Sequence, residues 1–151
     1  MTEPTLSVPV WPRWLGIAGL LPQLLCLLAL VGGNPEARFV ALACAFAYAA
    51  LILSFLGGLW WGLAAAHGRA PGWIWIAAVT PSLIAFASCY PWMVGAAWPG
   101  PSLVVLGAAL IASLGVDGKL RVMGIAPIWW LGLRVPLSVG LGGMTLAIAW
   151  L

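Results

Sequence analysis

Side chains that could bind a metal or act as nucleophiles are rare in this sequence. There are three cysteines, Cys26, Cys44 and Cys89, and a single histidine, His67. The cysteines form no CxxC pair, and they lie within apolar segments where thiols are ordinarily unreactive. Because structural metal sites need three or four such ligands at short spacings, we expect no metal site, no cofactor and no disulfide.

The charge with the greatest chemical interest is Arg134, which interrupts the apolar stretch from Arg121 to Leu151. We place it about nine residues into a membrane-spanning helix, roughly 13 Å deep at 1.5 Å per residue. An arginine at the centre of a span costs about 2.5–3.5 kcal/mol, so it needs partners inside the protein. Asp117 is a candidate ion-pair partner if this last helix starts nearer the membrane surface; otherwise neutral polar groups must meet the guanidinium.

Several neutral polar side chains are predicted to lie at the same membrane depth as this arginine. Counted from the span ends, this polar belt comprises Gln23, Ser54, Thr80, Ser82 and Arg134. Prolines near the same level leave backbone carbonyls without their helical hydrogen bond. Such a belt is tolerated only when it is buried in protein. It can be a ligand or ion site, or a structural clasp that locks helices together, and we favour the clasp because the level contains no acid.

The elements that must position these residues are membrane-spanning helices. Hydrophobic residues make up 64% of the 151 residues and charged residues 6%, against about 45–50% and 25% in soluble domains. About 20 apolar residues span a bilayer, and the uncharged runs between charges have one or two times that length. We therefore predict an all-α polytopic membrane protein, a compact bundle of five transmembrane helices forming one domain over residues 1–151, with spans at about 14–33, 39–66, 72–90, 101–116 and 125–151.

The positions of the basic residues predict the orientation of this bundle. With five spans, four basic residues share one side of the membrane: Arg13, Arg69, Lys119 and Arg121. The opposite side has Arg38 alone. The positive-inside rule therefore places the N-terminus in the cytoplasm and the C-terminus in the periplasm. The basic residues are scattered, so we expect no nucleic-acid partner.

Small residues recur every fourth position on the predicted second helix: Ala50, Ser54, Gly58, Gly62 and Ala66. Small side chains let helix backbones approach closely in lipid, where association depends on packing. We expect this face to pack within the bundle, because a five-helix bundle needs a central helix. The alternative is a homo-oligomer through Gly58 and Gly62.

Part of the second helix resembles the signature of the transmembrane protein 69 family, a family of bacterial and mitochondrial membrane proteins. The resemblance rests on ILSFLGG at 52–58 followed by Trp61 and Gly62, on LGIAGLLP at 15–22 and on PSL at 81–83. The sequence differs from the family pattern at Trp130, Ser138 and Gln23. The resemblance covers nearly the whole chain and implies an inner membrane, and the family supplies no established activity.

The function expected from the sequence is non-enzymatic, because the chain offers no acid–base pair and no nucleophile beside a base. We favour an accessory or assembly component of a complex in the bacterial inner membrane. The expected partners are the lipid bilayer and, in this interpretation, a larger membrane protein complex. The alternative is a binder or transporter of a small molecule, such as a lipid, a quinone or a tetrapyrrole, that uses the belt around Arg134.

Overall fold

The computed structural model describes residues 7–151, and all regular elements in that range are helices. In chain order they are α1 (Val10–Ala18), α2 (Leu21–Val31), α3 (Pro35–His67), α4 (Gly72–Ala87), α5 (Tyr90–Met93), α6 (Gly100–Val122) and α7 (Trp130–Ile148). Five helical segments are long and apolar enough to cross a membrane: Val10–Val31, Pro35–His67, Gly72–Met93, Gly100–Val122 and Trp130–Ile148. The predicted all-α fold with five spans is therefore confirmed.

The first span consists of two helices with a break between them. The break lies at Gly19 and Leu20, and Pro22 follows in the first turn of α2. Proline has no N–H to continue the helical hydrogen bonds, so the turn before it leaves carbonyl groups without partners. The hydroxyl of Tyr48 on α3 donates a hydrogen bond to the carbonyl of Gly19, within the break itself. No residue of α1 is buried, whereas α2 buries side chains against the bundle.

The second span, α3, begins and ends where its local sequence dictates. The side-chain oxygen of Asn34 accepts a hydrogen bond from the N–H of Glu36 at 3.0 Å, and Pro35 occupies the first position, where a missing N–H costs nothing. At the other end Gly68 has a φ of 72°, a conformation that ends helices and favours glycine. The span thus starts at residue 35, four residues before the predicted start.

The last two spans differ most from their predicted boundaries. Helix α6 runs to Val122 instead of residue 116, and α7 starts at Trp130 instead of residue 125. The charges that we took as the end of the fourth span lie within the last two turns of α6, where Asp117 finds buried partners and Lys119 and Arg121 are close to the helix end. Gly124, with a φ of 70°, then opens the connection to α7.

Helices α6 and α7 are antiparallel and pack closely through two glycines. A Cβ atom at Gly107 would lie 2.8 Å from Cγ of Leu146, and one at Gly142 would lie 2.7 Å from Cγ1 of Ile111. Each glycine also approaches the other's carbonyl oxygen. Any larger residue would force the two helices apart, so these glycines set the separation of α6 and α7.

The predicted packing face of small residues on α3 is wrong over most of its length. Gly58, Gly62 and Ala66 are exposed, and a Cβ atom at either glycine would meet nothing within 4 Å; Ala50 and Ser54 are half-buried. A helix of 3.6 residues per turn rotates by about 400° over four residues, which is about 40° more than one full turn. The row of small residues therefore moves around the helix by about 40° at each step and does not stay on one face. The close contact is made by the neighbouring Gly57, where a Cβ atom would overlap the carbonyl oxygen of Ala78 on α4.

Candidate functional site

Arg134 is buried in the second turn of α7. It is the fifth residue of that helix and is 6% exposed. The prediction that it lies about nine residues into the span is wrong because residues 125–129 form a connection that contains Pro127. Asp117 lies five residues before the end of α6. Asp117 is therefore about 7 Å from the C-terminal end of α6, and Arg134 is about as far from the N-terminal end of α7. Because the two helices are antiparallel, these ends lie on the same side of the bundle.

This shared depth brings Arg134 and Asp117 into a direct ion pair. Nε of Arg134 donates to Oδ2 of Asp117 at 2.9 Å. Nη2 of Arg134 donates to the hydroxyl of Ser113 at 3.3 Å, and that hydroxyl donates to the carbonyl of Leu110 at 2.6 Å. Asp117 has no exposed surface. The pair therefore places one positive and one negative charge in the protein interior, with no net charge.

Two indole groups complete the hydrogen bonds of Asp117. Oδ1 accepts from Nε1 of Trp60 on α3 and from Nε1 of Trp130 on α7, both at 2.9 Å. With Ser113 and Arg134 these residues form a group that we call the Asp117 cluster: Trp60, Ser113, Asp117, Trp130 and Arg134. Hydrogen bonds to a charged group are stronger than those between neutral groups, so the cluster ties α3, α6 and α7 together.

The other residues of the predicted polar belt do not join this cluster. Nε2 of Gln23 donates to the hydroxyl of Thr145 at 3.0 Å, in a separate contact between the first span and α7. The hydroxyls of Ser54 and Ser82 lie 2.9 Å apart in an exposed pair, and Thr80 is exposed and bonds to its own helix backbone. The belt is therefore wrong as a single site, because counting residues gives the depth of a side chain and not its direction around the helix.

Three members of the cluster were missed by the sequence analysis: Trp60, Ser113 and Trp130. A signal for two of them was present. Ser113 precedes Asp117 by four residues, and Trp130 precedes Arg134 by four residues. Residues at this spacing are neighbours on one helix face, so each charge of the ion pair has a hydrogen-bonding neighbour one turn before it.

A cavity of about 450 Å³ lies beside the cluster, between the first span, α3 and α7. Its wall is mainly aliphatic and includes Leu20, Leu56 and Leu137. In the described residues, its polar side chains are Arg134 and Ser138, apart from the indoles of two tryptophans. The cavity is thus an apolar space within the membrane-spanning region with a small polar area on its α7 side.

Two polar groups in this wall lack hydrogen-bond partners. Ser138 is 2% exposed, and its Oγ is buried without a partner in the part of the chain that the structure describes. Arg134 makes its side-chain bonds through Nε and Nη2, which leaves Nη1 without one among the described residues. Arg134 and Ser138 are four residues apart on α7 and therefore share a face. The wall therefore contains two side chains, Ser138 and Arg134, that each have a polar atom without a hydrogen-bond partner among the described residues.

The comparison with protein families agrees with a membrane protein of undetermined activity. Residues 8–151 match the family model described as a protein of unknown function, DUF3429. The chain belongs to the DUF3429 family. No curated protein and no solved structure matches this DUF3429 chain.

The chemistry that this DUF3429 protein can provide at the cavity is apolar burial with a few directed hydrogen bonds. Such a combination, a mainly apolar concave wall with a small number of placed polar groups, is typical of small-molecule sites. Across residues 7–151 no three side chains of histidine, cysteine, aspartate or glutamate are grouped to hold a metal ion. Cys26, Cys44 and Cys89 are free thiols.

Proposed function

We propose that this DUF3429 protein binds a lipophilic small molecule inside the membrane, in the cavity between the first span, α3 and α7. One observation carries the proposal: Ser138, whose buried hydroxyl has no partner among the described residues, lies in the wall of a mainly apolar cavity. The sequence left two functions open, and this observation supports the binding of a small molecule over the accessory or assembly role.

The energetics of the cavity favour an occupant with one polar end. A buried hydroxyl without a partner costs about 1–3 kcal/mol, which a hydrogen bond from a ligand would recover. The volume of about 450 Å³ lies within the 300–1,000 Å³ usual for ligand pockets. Leu20, Leu56 and Leu137 would contact the apolar part of the ligand. On the side of the first span, α1 contributes residues to the wall although it buries none of them against the bundle.

Purification with its bound lipophiles tests this proposal. The full chain, extracted in mild detergent, is analysed by mass spectrometry of its organic extract. Leu133→Trp fills the cavity, because Leu133 lies in its wall. Val139→Trp adds the same side chain on the same helix at a position that is 50% exposed and outside the wall. Size-exclusion profiles establish that both variants are folded.

We expect one lipophile to accompany the parent and Val139→Trp in equal amounts and to be lost from Leu133→Trp. Equal amounts in all three proteins would place the bound molecule elsewhere on the surface. A parent protein that carries no stoichiometric lipophile and also binds no added one would refute binding at this cavity.

The accessory or assembly role stays a prediction from the sequence, and the same purification addresses it. A protein partner that remains bound in mild detergent, with an empty cavity, would favour that role. In both functions we propose that the protein acts without catalysis. A homo-oligomer through Gly58 and Gly62 also stays a prediction, and a cross-link between copies of Gly58→Cys would support it.

We propose the bacterial inner membrane as the location, with the N-terminus in the cytoplasm and the C-terminus in the periplasm. The support is the distribution of four basic residues against one, together with the similarity to the transmembrane protein 69 family. Alkaline phosphatase fused after Arg69 should be inactive, and the same enzyme fused after Leu151 should be active. The reverse pattern would overturn the orientation.

A further inference from the structure

We infer that the ligand of this cavity is electrically neutral and presents a carbonyl oxygen to Ser138 and Arg134. This inference rests on the proposed function and adds the chemical class of the ligand. It follows from two properties of the cavity wall, namely its charge balance and its remaining hydrogen-bond donors.

The charge balance excludes an anionic head group. Among the residues that the structure describes, Arg134 is the charged side chain in the cavity wall, and its charge is already balanced by Asp117 at 2.9 Å. Asp117 is fully buried and accepts three hydrogen bonds, so it is held in place as the counter-ion. A carboxylate or phosphate entering the cavity would add a second negative charge in an apolar environment. Because an uncompensated buried charge is strongly unfavourable, a neutral head group binds better.

The remaining hydrogen bonds require an acceptor on the ligand. A guanidinium has donors and no acceptor, and Nη1 of Arg134 is the nitrogen that has no partner within residues 7–151. The hydroxyl of Ser138, one turn further along α7, can donate a second hydrogen bond. A carbonyl oxygen has two lone pairs and can accept both bonds at once. A carbonyl therefore matches this pair of groups without bringing a further donor close to the guanidinium.

The rest of the wall accepts the apolar body of such a molecule. Trp129 and Trp130 lie in the wall beside aliphatic side chains. Two sources provide a neutral carbonyl on an apolar body: the ring of a quinone and the ester of an uncharged glycerolipid. Both share the chemistry that the wall recognises, and the experiment distinguishes them.

The test measures binding of three probes to the full chain in detergent. Menadione is a neutral quinone, dioleoylglycerol is a neutral ester, and oleate carries the same acyl chain on a carboxylate. Each is titrated while the melting temperature is followed, because a ligand that binds the folded state raises it in proportion to its occupancy. The titrations are repeated with Ser138→Ala and with Ser82→Ala, a serine substitution outside the cavity in the exposed Ser54–Ser82 pair.

We expect menadione or dioleoylglycerol to raise the melting temperature and oleate to leave it unchanged. Ser138→Ala should weaken binding of the active probe roughly two- to tenfold, the usual effect of one hydrogen bond. Ser82→Ala should bind like the parent. The probe that binds identifies the source of the carbonyl.

The other outcomes separate this inference from the proposed function. Preferential binding of oleate, or unchanged binding by Ser138→Ala, would overturn the neutral carbonyl head group while a cavity ligand remains. If no probe binds, the lipophile that copurifies with the parent decides: a neutral molecule with a carbonyl supports the inference, and any other molecule overturns it. The absence of both probe binding and a copurifying lipophile would overturn the proposed function itself.

Discussion

Neutralising one member of the Asp117–Arg134 pair should destabilise the protein more than neutralising both. Asp117→Asn removes the negative charge and keeps Oδ1 as an acceptor for the indoles of Trp60 and Trp130. The amide nitrogen then replaces Oδ2, so the variant loses the counter-ion together with the acceptor for Nε of Arg134. Arg134→Gln removes the positive charge and leaves the carboxylate alone. In the double variant both charges are absent, and the two introduced amides can form a hydrogen bond with each other.

The size of the effect follows from the burial of the pair. Asp117 is 0% and Arg134 6% exposed. Two unit charges about 4 Å apart attract by about 4 kcal/mol at an effective dielectric constant of 20. Removing one partner from a buried pair typically costs about 3–5 kcal/mol, whereas replacing both by well-packed hydrophobic residues is often close to neutral; the double variant shares with that case the absence of an unpaired buried charge. Domains commonly have about 5–15 kcal/mol of stability in total, so each single variant should lose a large share of it.

A double-mutant cycle measures this prediction. The parent, both single variants and the double variant are unfolded by titration with sodium dodecyl sulfate, and the free energies are compared. Arg69→Gln, at an exposed arginine outside the cluster, is the control for loss of a positive charge. Arg134→Lys should fall between the parent and Arg134→Gln, because lysine keeps the charge without the planar fork. If Asp117→Asn is as stable as the parent, or if the two single effects simply add, the argument from charge pairing is refuted.

Two further predictions concern helix packing. Gly57→Ala should lower the free energy of unfolding by about 1–3 kcal/mol through overpacking against a backbone carbonyl of α4, while the adjacent Gly58→Ala should stay close to the parent; equal elution and melting profiles would refute this. Tyr48→Phe should cost about 0.5–1.5 kcal/mol, because the hydroxyl satisfies the carbonyl of Gly19 at the break in the first span. The exposed Tyr90→Phe is its control in the same melting assay, and equal losses in both variants would contradict the role of that bond.

The number of spans could be predicted because it depends on hydropathy, which is summed over the many residues of each span. The uncharged runs between charges are long enough for one or two bilayer crossings, and no single residue changes that count. The span ends depend on local features instead. Hydropathy treats Asp117 as an end, but the helix continues to Val122 because the carboxylate has partners in the interior.

The sequence indicates which side chains are neighbours only when both lie on one helix at a spacing of about four residues, as Ser113 and Asp117 do. The depth of Arg134 was inferred by counting from an assumed start, and a shift of that start to Trp130 changed its partners. The depth of a residue in the membrane does not give the direction in which its side chain points around the helix axis. Gln23 and Ser54 were therefore grouped with Arg134, although neither of them contacts it. On α3 a shift of one residue, from Gly58 to Gly57, separates an exposed glycine from a close helix contact.

A row of residues at four-residue spacing rotates around its helix, as the small residues of α3 do. This rotation explains how one such row on α7 can contribute both to the Asp117 cluster and to the cavity wall. Trp130, Arg134 and Ser138 follow each other at four-residue steps, and the row turns by about 40° at each step. Its first two members donate to Asp117, whereas Ser138 has no such partner and lies in the cavity wall. Trp130 and Arg134 belong to both groups, since each donates to Asp117 and also lines the cavity. Stability and binding should therefore fall together at Arg134 and Asp117. At Ser138 the two should change in opposite directions, because Ser138→Ala removes a ligand contact and also removes a buried hydroxyl that lacks a partner among the described residues.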